Sequence, residues 1–267
     1  MNLAGVELSI LVPAFLAGLL VLASHVPLGM QVLSRGIVFI DLAIAQIAGL
    51  GVIGANLLGF NPQGFGVQFS AVSAALLGAL WLTFSEKRWP EVQEALIGVL
   101  FVLAATGSIL LLANNPHGGE HLKNLLVGQI LWVTYQQLPL AALASLGVAL
   151  LWFTLRQRLG RAGFYILFAF AVTASVQLVG IYLVFASLIV PAMATRLYSG
   201  RKRLMIAYAM GAFAYALGLL VSAWWDLPSG AVVVWSMAAV GVGVYGFGPS
   251  RGSVVSAASS PANHMPM

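Results

Sequence analysis

Two ionisable residues, Asp41 and His25, fall inside long charge-poor stretches of the sequence. A charge in the hydrocarbon interior costs roughly 2.5–3.5 kcal/mol on insertion scales, so such residues are functional candidates by default. Asp41 follows Arg35 by six residues, about 9 Å along a helix, which places it inside the membrane but away from its centre. Its carboxylate is either bonded to a neighbouring helix or reached by cytoplasmic water, or else it has a functional role, and the residues leave the structural and the functional reading equal. His25 stands in His25-Val26-Pro27-Leu28-Gly29, where Pro and Gly suggest an irregular helix end. A packed, hydrogen-bonded imidazole is the simpler reading there.

A third group, His117-Gly118-Gly119-Glu120-His121, has the H-x-x-E-H pattern. On a helix it would turn two imidazoles towards one zinc ion, with the glutamate as base. Pro116, Gly118 and Gly119 predict a loop instead, and no third ligand is evident, so an intramembrane protease is set aside. His117, Glu120 and His121 remain candidates for a loose outer capture site for zinc or manganese, against a plain solvated loop. Neutral polar residues within apolar stretches include Gln46, Asn56, Gln129, Thr173, Ser175, Gln177 and Ser187. Thr173 and Gln177 share a helix face, suited to a wet cavity or to bonding between helices.

The elements that must hold these residues are membrane helices. Charged residues are 7% of the 267, where a soluble domain carries about a quarter, so an ordinary soluble fold is excluded. Apolar residues are 61%, enough for roughly eight crossings at about 20 residues each. The absence of cysteine excludes disulfides, thiolate ligands and haem attachment. The formal charge of +5 comes from 12 basic residues gathered in short loops, a placement that signals orientation and not nucleic acid.

Spans are predicted over 7–30, 36–58, 65–84, 95–113, 130–155, 163–195, 204–225 and 230–247. The stretch 163–195 is long for one helix. Arg156, Arg158 and Arg161 precede it, and Arg196, Arg201, Lys202 and Arg203 follow it. With both basic loops cytoplasmic it crosses twice, broken at Gly180 into two short helices that turn near the outer surface. Eight or nine spans result. Arg35, Lys87, Arg88 and Arg251 share the cytoplasmic side, while the opposite loops hold only Lys123. The prediction is an all-α polytopic bundle over 1–247 with its N-terminus outside and its C-terminus cytoplasmic. A disordered cytoplasmic tail over 248–267 follows. The first eight residues lack a basic n-region, so no cleaved signal peptide is expected.

Three stretches carry a family resemblance. Arg35-Gly36-Ile37-Val38-Phe39-Ile40-Asp41-Leu42-Ala43-Ile44-Ala45-Gln46 is similar to R-x-x-x-x-G-D-A-I-A-H. Glu94-Ala95-Leu96-Ile97-Gly98-Val99-Leu100-Phe101 is similar to an acidic-A-x-x-G-I-x-F helix start, with Leu126-Val127-Gly128-Gln129-Ile130-Leu131 like a later L-x-G-x-L-L. Val179-Gly180-Ile181-Tyr182-Leu183-Val184-Phe185-Ala186-Ser187-Leu188-Ile189-Val190-Pro191-Ala192-Met193-Ala194 is similar to V-G-x-L-L-v-x-A-L-L-x-I-P-A-A-x-A. In this order the chain resembles the membrane permeases of zinc/manganese/iron-type ABC importers.

The resemblance implies a multi-pass plasma (inner) membrane protein in which a second copy of the chain completes a homodimeric pore. Two cytoplasmic ATPase subunits would hydrolyse ATP, and an extracytoplasmic binding protein would deliver a divalent metal, zinc or manganese. The chain itself would be no enzyme and hold no cofactor of its own. Candidate metal contacts are then Asp41, Gln46, His117, Glu120 and His121, with Gln177, Gly180, Ser187 and Pro191 along the path. Glu91, Glu94, Arg156, Arg158, Arg161 and Arg196 would face the ATPase.

Two departures qualify this. Aligning Ala43-Ile44-Ala45 with the family's A-I-A puts Leu42 and Gln46 where it carries Asp and His. Asp41 is turned about 100° from Leu42, and a Leu/Gln pair is a poor zinc ligand set. The family also has a cytoplasmic docking helix of about a dozen or more residues before the Val179-Gly180 motif, where this chain has only Arg156-Gln157-Arg158-Leu159-Gly160-Arg161-Ala162. The alternative is an ATPase-independent transporter or membrane accessory protein that keeps the permease fold.

Overall fold

Apolar runs bounded by short basic or Gly/Pro-containing turns fold, among the described residues, into ten α-helices of a bundle. In the computed structural model the described residues are 8–61, 64–113, 115–155 and 157–249, apart from the His121 side chain. Arg156 and the tail from 250 onward lie outside them, as does Arg251. The helices are α1 (Leu8–Arg35), α2 (Ile40–Leu57), α3 (Phe65–Arg88), α4 (Gln93–Leu112), α5 (Gly118–Val127), α6 (Leu138–Leu155), α7 (Arg161–Val179), α8 (Ile181–Ala194), α9 (Gly200–Trp225) and α10 (Ser229–Gly246). No strand occurs among the described residues, so the chain is all-α.

Among the described residues eight helices are long and apolar enough to cross a bilayer. The ninth apolar helix, α8, has 14 residues, about 21 Å of rise against a hydrocarbon core of roughly 30 Å. The long stretch 163–195 does break at Gly180, which has φ 83°. Only one of its halves is short, however, because α7 keeps 19 residues. α1 packs against α6, α8 and α9, α2 against α3 and α4, and α10 against α8 and α9. Large apolar side chains on α4 and α6, among them Leu103, Leu110, Leu143 and Leu150, stay exposed on the outside of the bundle, the surface a bilayer covers.

Two expectations are corrected. The segment read as an outer loop holds α5, which starts at Gly118 directly after His117. Glycine is favoured there by packing, since a Cβ at Gly118 would lie 2.6 Å from the Leu112 carbonyl oxygen. First-turn amides lack helical partners in any case. The span expected over 130–155 is helical only from Leu138. Before it, a single 3-10 turn at Ile130–Trp132 carries the fully buried Ile130 into the bundle against α1 and α10.

The ends of α5 and α7 meet. Gly128 has φ 70° and Gly180 φ 83°, and a Cβ on either would overlap the other's backbone. Both helix ends keep their hydrogen bonds, with Gly128 N–H on the Asn124 carbonyl at 2.9 Å and Gly180 N–H on the Val176 carbonyl at 2.8 Å.

Polar contacts tie the opposite end of the bundle together. α2 begins after Phe39, which has no capping oxygen of its own. Glu94, in the first turn of α4, accepts the Phe39 N–H at 3.2 Å, supplying a carboxylate where the helix dipole favours one. Glu86 of α3 pairs with Arg161 of α7 at 3.7 Å, and the Arg35 guanidinium lies 4.2 Å from the Phe164 ring centroid. Buried Gln93 donates to the Tyr165 hydroxyl at 3.3 Å and accepts from Ser85 at 2.9 Å.

Two stability effects are expected in thermal melts of the detergent-purified protein. Gly180→Ala loses more than the roughly 1–3 kcal/mol of an alanine at a positive φ with extended ψ, because the Gly128 backbone must also move. Gly243→Ala, with open space at its Cβ position, is neutral or gains up to about 1 kcal/mol. Equal melting temperatures would refute the backbone crossing. Glu94→Ala loses about 1 kcal/mol as a lost helix cap, with Glu94→Gln closer to wild type.

Candidate functional site

Steps of three and four residues place Leu42, Gln46, Gly49, Ile53 and Asn56 on one stripe of α2. The stripe runs from the end held by Glu94 up to a cavity of about 420 Å³ at the opposite end. Ile53 and Asn56 of α2, Asn124 of α5, Gln177 of α7, and Gly128 and Gln129 from the backbone interruption line it, with Asn115 before α5. Among the described residues, five of its side chains are carboxamides and none is ionisable. The non-helical backbone at 128–129 thus borders an open space, the setting in which a bilayer protein tolerates it.

The carboxamides are partly bonded among themselves. Gln129 donates to the Asn124 Oδ1 at 3.0 Å, and the Asn115 Oδ1 accepts the His117 N–H at 2.9 Å. Gln68 of α3 donates to the Gln177 Oε1. The Asn56 Oδ1 is buried with no hydrogen-bond partner among the described residues. A second groove, of about 630 Å³, runs between α3, α6 and α7 and includes Gln68, Gln137, Thr173 and Gln177. Thr173 and Gln177 therefore line one groove as their spacing suggested, and Gln177 also bonds between helices. Being common to both linings, Gln177 stands between the two spaces.

The other candidates are dispersed. Asp41 is fully buried in the first turn of α2, off the stripe, and neither carboxylate oxygen has a partner among the described residues. Gln46 is buried on the stripe below the cavity. His117 and Glu120 are exposed at the start of α5, 3.6 Å apart between Nδ1 and Oε2. His121 lies on the same helix, its side chain outside the described residues. His25 is buried in α1 with Nδ1 at 3.0 Å from both the Val21 carbonyl and the Ser24 hydroxyl. Among the described residues no three of His, Asp or Glu come together in a group able to hold a metal ion.

In α8, Ser187 is fully buried and pairs with the Tyr215 hydroxyl of α9 at 2.8 Å. The Pro191 carbonyl accepts the Thr195 hydroxyl at 2.7 Å. At the basic end, Glu91 and Arg158 are exposed, while Glu94 and Arg161 are engaged with Phe39 and Glu86. Arg196 donates to the Tyr245 hydroxyl at 3.0 Å. Gln68, Asn115 and Asn124 were missed from sequence. The signal for Asn115 and Asn124 was the crowding of carboxamides at Asn114, Asn115, Asn124 and Gln129, and for Gln68 its place as a carboxamide within the apolar stretch 65–84.

The family model described as the ABC 3 transport family matches residues 7–164 and 155–247. None of the curated protein sequences matches the chain. Among solved structures it is similar to PsaBC from Streptococcus pneumoniae in complex with Fab, with TM-score 0.69 and 21% identity over 90% of this chain and 91% of that one. It is also similar to an inward-facing transporter assigned to the metal-chelate ABC type, with TM-score 0.65 and 18% identity over 87% of this chain and 84% of that one. With the family model matched across the whole helical bundle, the chain belongs to the ABC 3 transport family, the membrane permeases of metal-type ABC importers.

Proposed function

We propose that two copies of this chain form the translocation path of an ATP-driven importer for a divalent transition metal, zinc or manganese, in the plasma membrane. The family match across 7–247 carries this reading. ATP is hydrolysed by separate cytoplasmic subunits, and the chain itself is not an enzyme and needs no resident cofactor. The basic residues Arg35, Lys87, Arg88, Arg158, Arg161 and Arg196 gather at one end of the bundle, so that end faces the cytoplasm. The carboxamide cavity then opens outward, where an extracytoplasmic binding protein delivers the cargo. The N-terminus lies outside and the C-terminus inside.

One observation favours a second reading, transport or an accessory role without an ATPase. The connection from Leu155 to Arg161 is too short to hold a docking helix, since even three turns need about 11 residues. In the first reading the exposed Glu91 and Arg158 form part of a smaller docking surface.

Purification of the tagged chain from native membranes is expected to recover a nucleotide-binding subunit, and vesicles holding that complex take up radiolabelled zinc or manganese only with ATP. Uptake indifferent to ATP would establish the second reading. Leu42→Asp combined with Gln46→His, which restores the family's pair, is expected to tighten equilibrium binding of free zinc by roughly tenfold or more. Unchanged binding would remove the α2 stripe from the metal path.

A further inference from the structure

We propose that the groove between the cytoplasmic ends of α8 and α10 holds one anionic phospholipid of the inner leaflet, with its phosphate on the Arg196 guanidinium and an acyl chain along the apolar walls. The proposal goes beyond the importer reading and takes from it only that the basic end faces the cytoplasm.

The positive charge at this corner is not met within the chain. Arg196 follows α8, and Arg201, Lys202 and Arg203 fall in the first turn of α9. From residue 121 to the end of the sequence the one acidic side chain is Asp226, which lies at the opposite end of α9. Of the earlier acids, Glu86 pairs with Arg161 and Glu94 accepts the Phe39 N–H. Among the described residues no carboxylate forms an ion pair with Arg196, Arg201 or Lys202. The α9 dipole adds to the surplus, since its positive end is the one that carries three basic residues.

Arg196 is already posed to grip a phosphate. It donates to the Tyr245 hydroxyl at 3.0 Å, with its guanidinium carbon 5.2 Å from the ring centroid. The side chain is thereby held at one end of a groove of about 300 Å³. Its other guanidinium N–H groups have no acceptor among the described residues, and such a planar fork matches the oxygens of a phosphate. Arg203 turns inward instead, donating to the Ala192 carbonyl at 3.2 Å.

The walls of the groove select the class of ligand. They include Val190 and Met193 of α8 and Ala238 and Val242 of α10, and Met193 and Val242 stay exposed. Ala238 precedes Tyr245 by seven residues of α10, about 10 Å along the helix and roughly a third of the hydrocarbon thickness. A soluble ATPase meets Arg196 only from the water side and leaves these walls uncovered. An amphiphile satisfies both the cation and the walls, and the cytoplasmic leaflet supplies phospholipids with negative headgroups.

The test uses the whole importer in detergent micelles containing equal amounts of dioleoylphosphatidylglycerol and dioleoylphosphatidylcholine, with bound lipid counted by native mass spectrometry. The expected result is one phosphatidylglycerol per chain, preferred over phosphatidylcholine by roughly fivefold or more. Arg196→Gln, and Val242→Trp at the exposed side of the groove, each cut that binding by roughly fivefold. Arg158→Gln, at an exposed arginine of the same end outside the groove, leaves it unchanged. Equal binding of the two lipids, or an equal loss in Arg158→Gln and Arg196→Gln, overturns the proposal. A second copy is the competing occupant, and the chain has no cysteine, so Val242→Cys supplies a single thiol. Oxidation of membranes carrying it is expected to link no two copies, and a disulfide-linked pair overturns the proposal. ATP-dependent uptake is measured separately, so the importer reading stands or falls without these outcomes.

Discussion

A peptide group left unpaired in hydrocarbon costs several kcal/mol, and that constraint governs where the helices of this bundle can break. The interruptions at Gly128 and Gly180 are admissible because each helix end satisfies its own amide and because the two bare backbones cover one another. Two side chains at that crossing would hold α5 and α7 apart. The break at Gly128 also frees Gln129 from a helix face and brings it beside Asn124, so the cavity exists because the backbone was allowed to leave the helix there.

Much of the architecture was readable from hydropathy and from where the basic residues fall, and these two quantities separate spans from turns on physical grounds. Gly180 stood out because a stretch flanked on both sides by arginines must reverse direction. α5 did not stand out, since the cost of Pro116, Gly118 and Gly119 to a helix is local, and close packing on the Leu112 carbonyl overrides it. The late start of α6 was hidden for a related reason. The apolar run Ile130-Leu131-Trp132-Val133 reads alike as a helix and as a buried turn.

The site was harder to find than the fold. Charge in an apolar stretch is a loud signal and drew attention to Asp41, yet that residue lies off the stripe leading to the cavity. The polar residues that line the cavity are asparagines and glutamines; Asn56, Gln129 and Gln177 stand out in the sequence only as neutral polar residues in apolar stretches, and nothing in their spacing shows that three separate segments bring them to one place with Asn115 and Asn124. The exposed Glu120 sits on the same α5 that supplies Asn124, and His117 just before it, without joining the cavity lining.

The hydrogen bond that starts α2 also imposes an order on biogenesis. Its acceptor, Glu94, is synthesised 55 residues after its donor, Phe39, an interval of roughly 3 to 11 s at about 5–20 residues per second. Until then the leading turn of α2 depends on lipid headgroups or water for partners, so the first four helices mature in the bilayer as one unit.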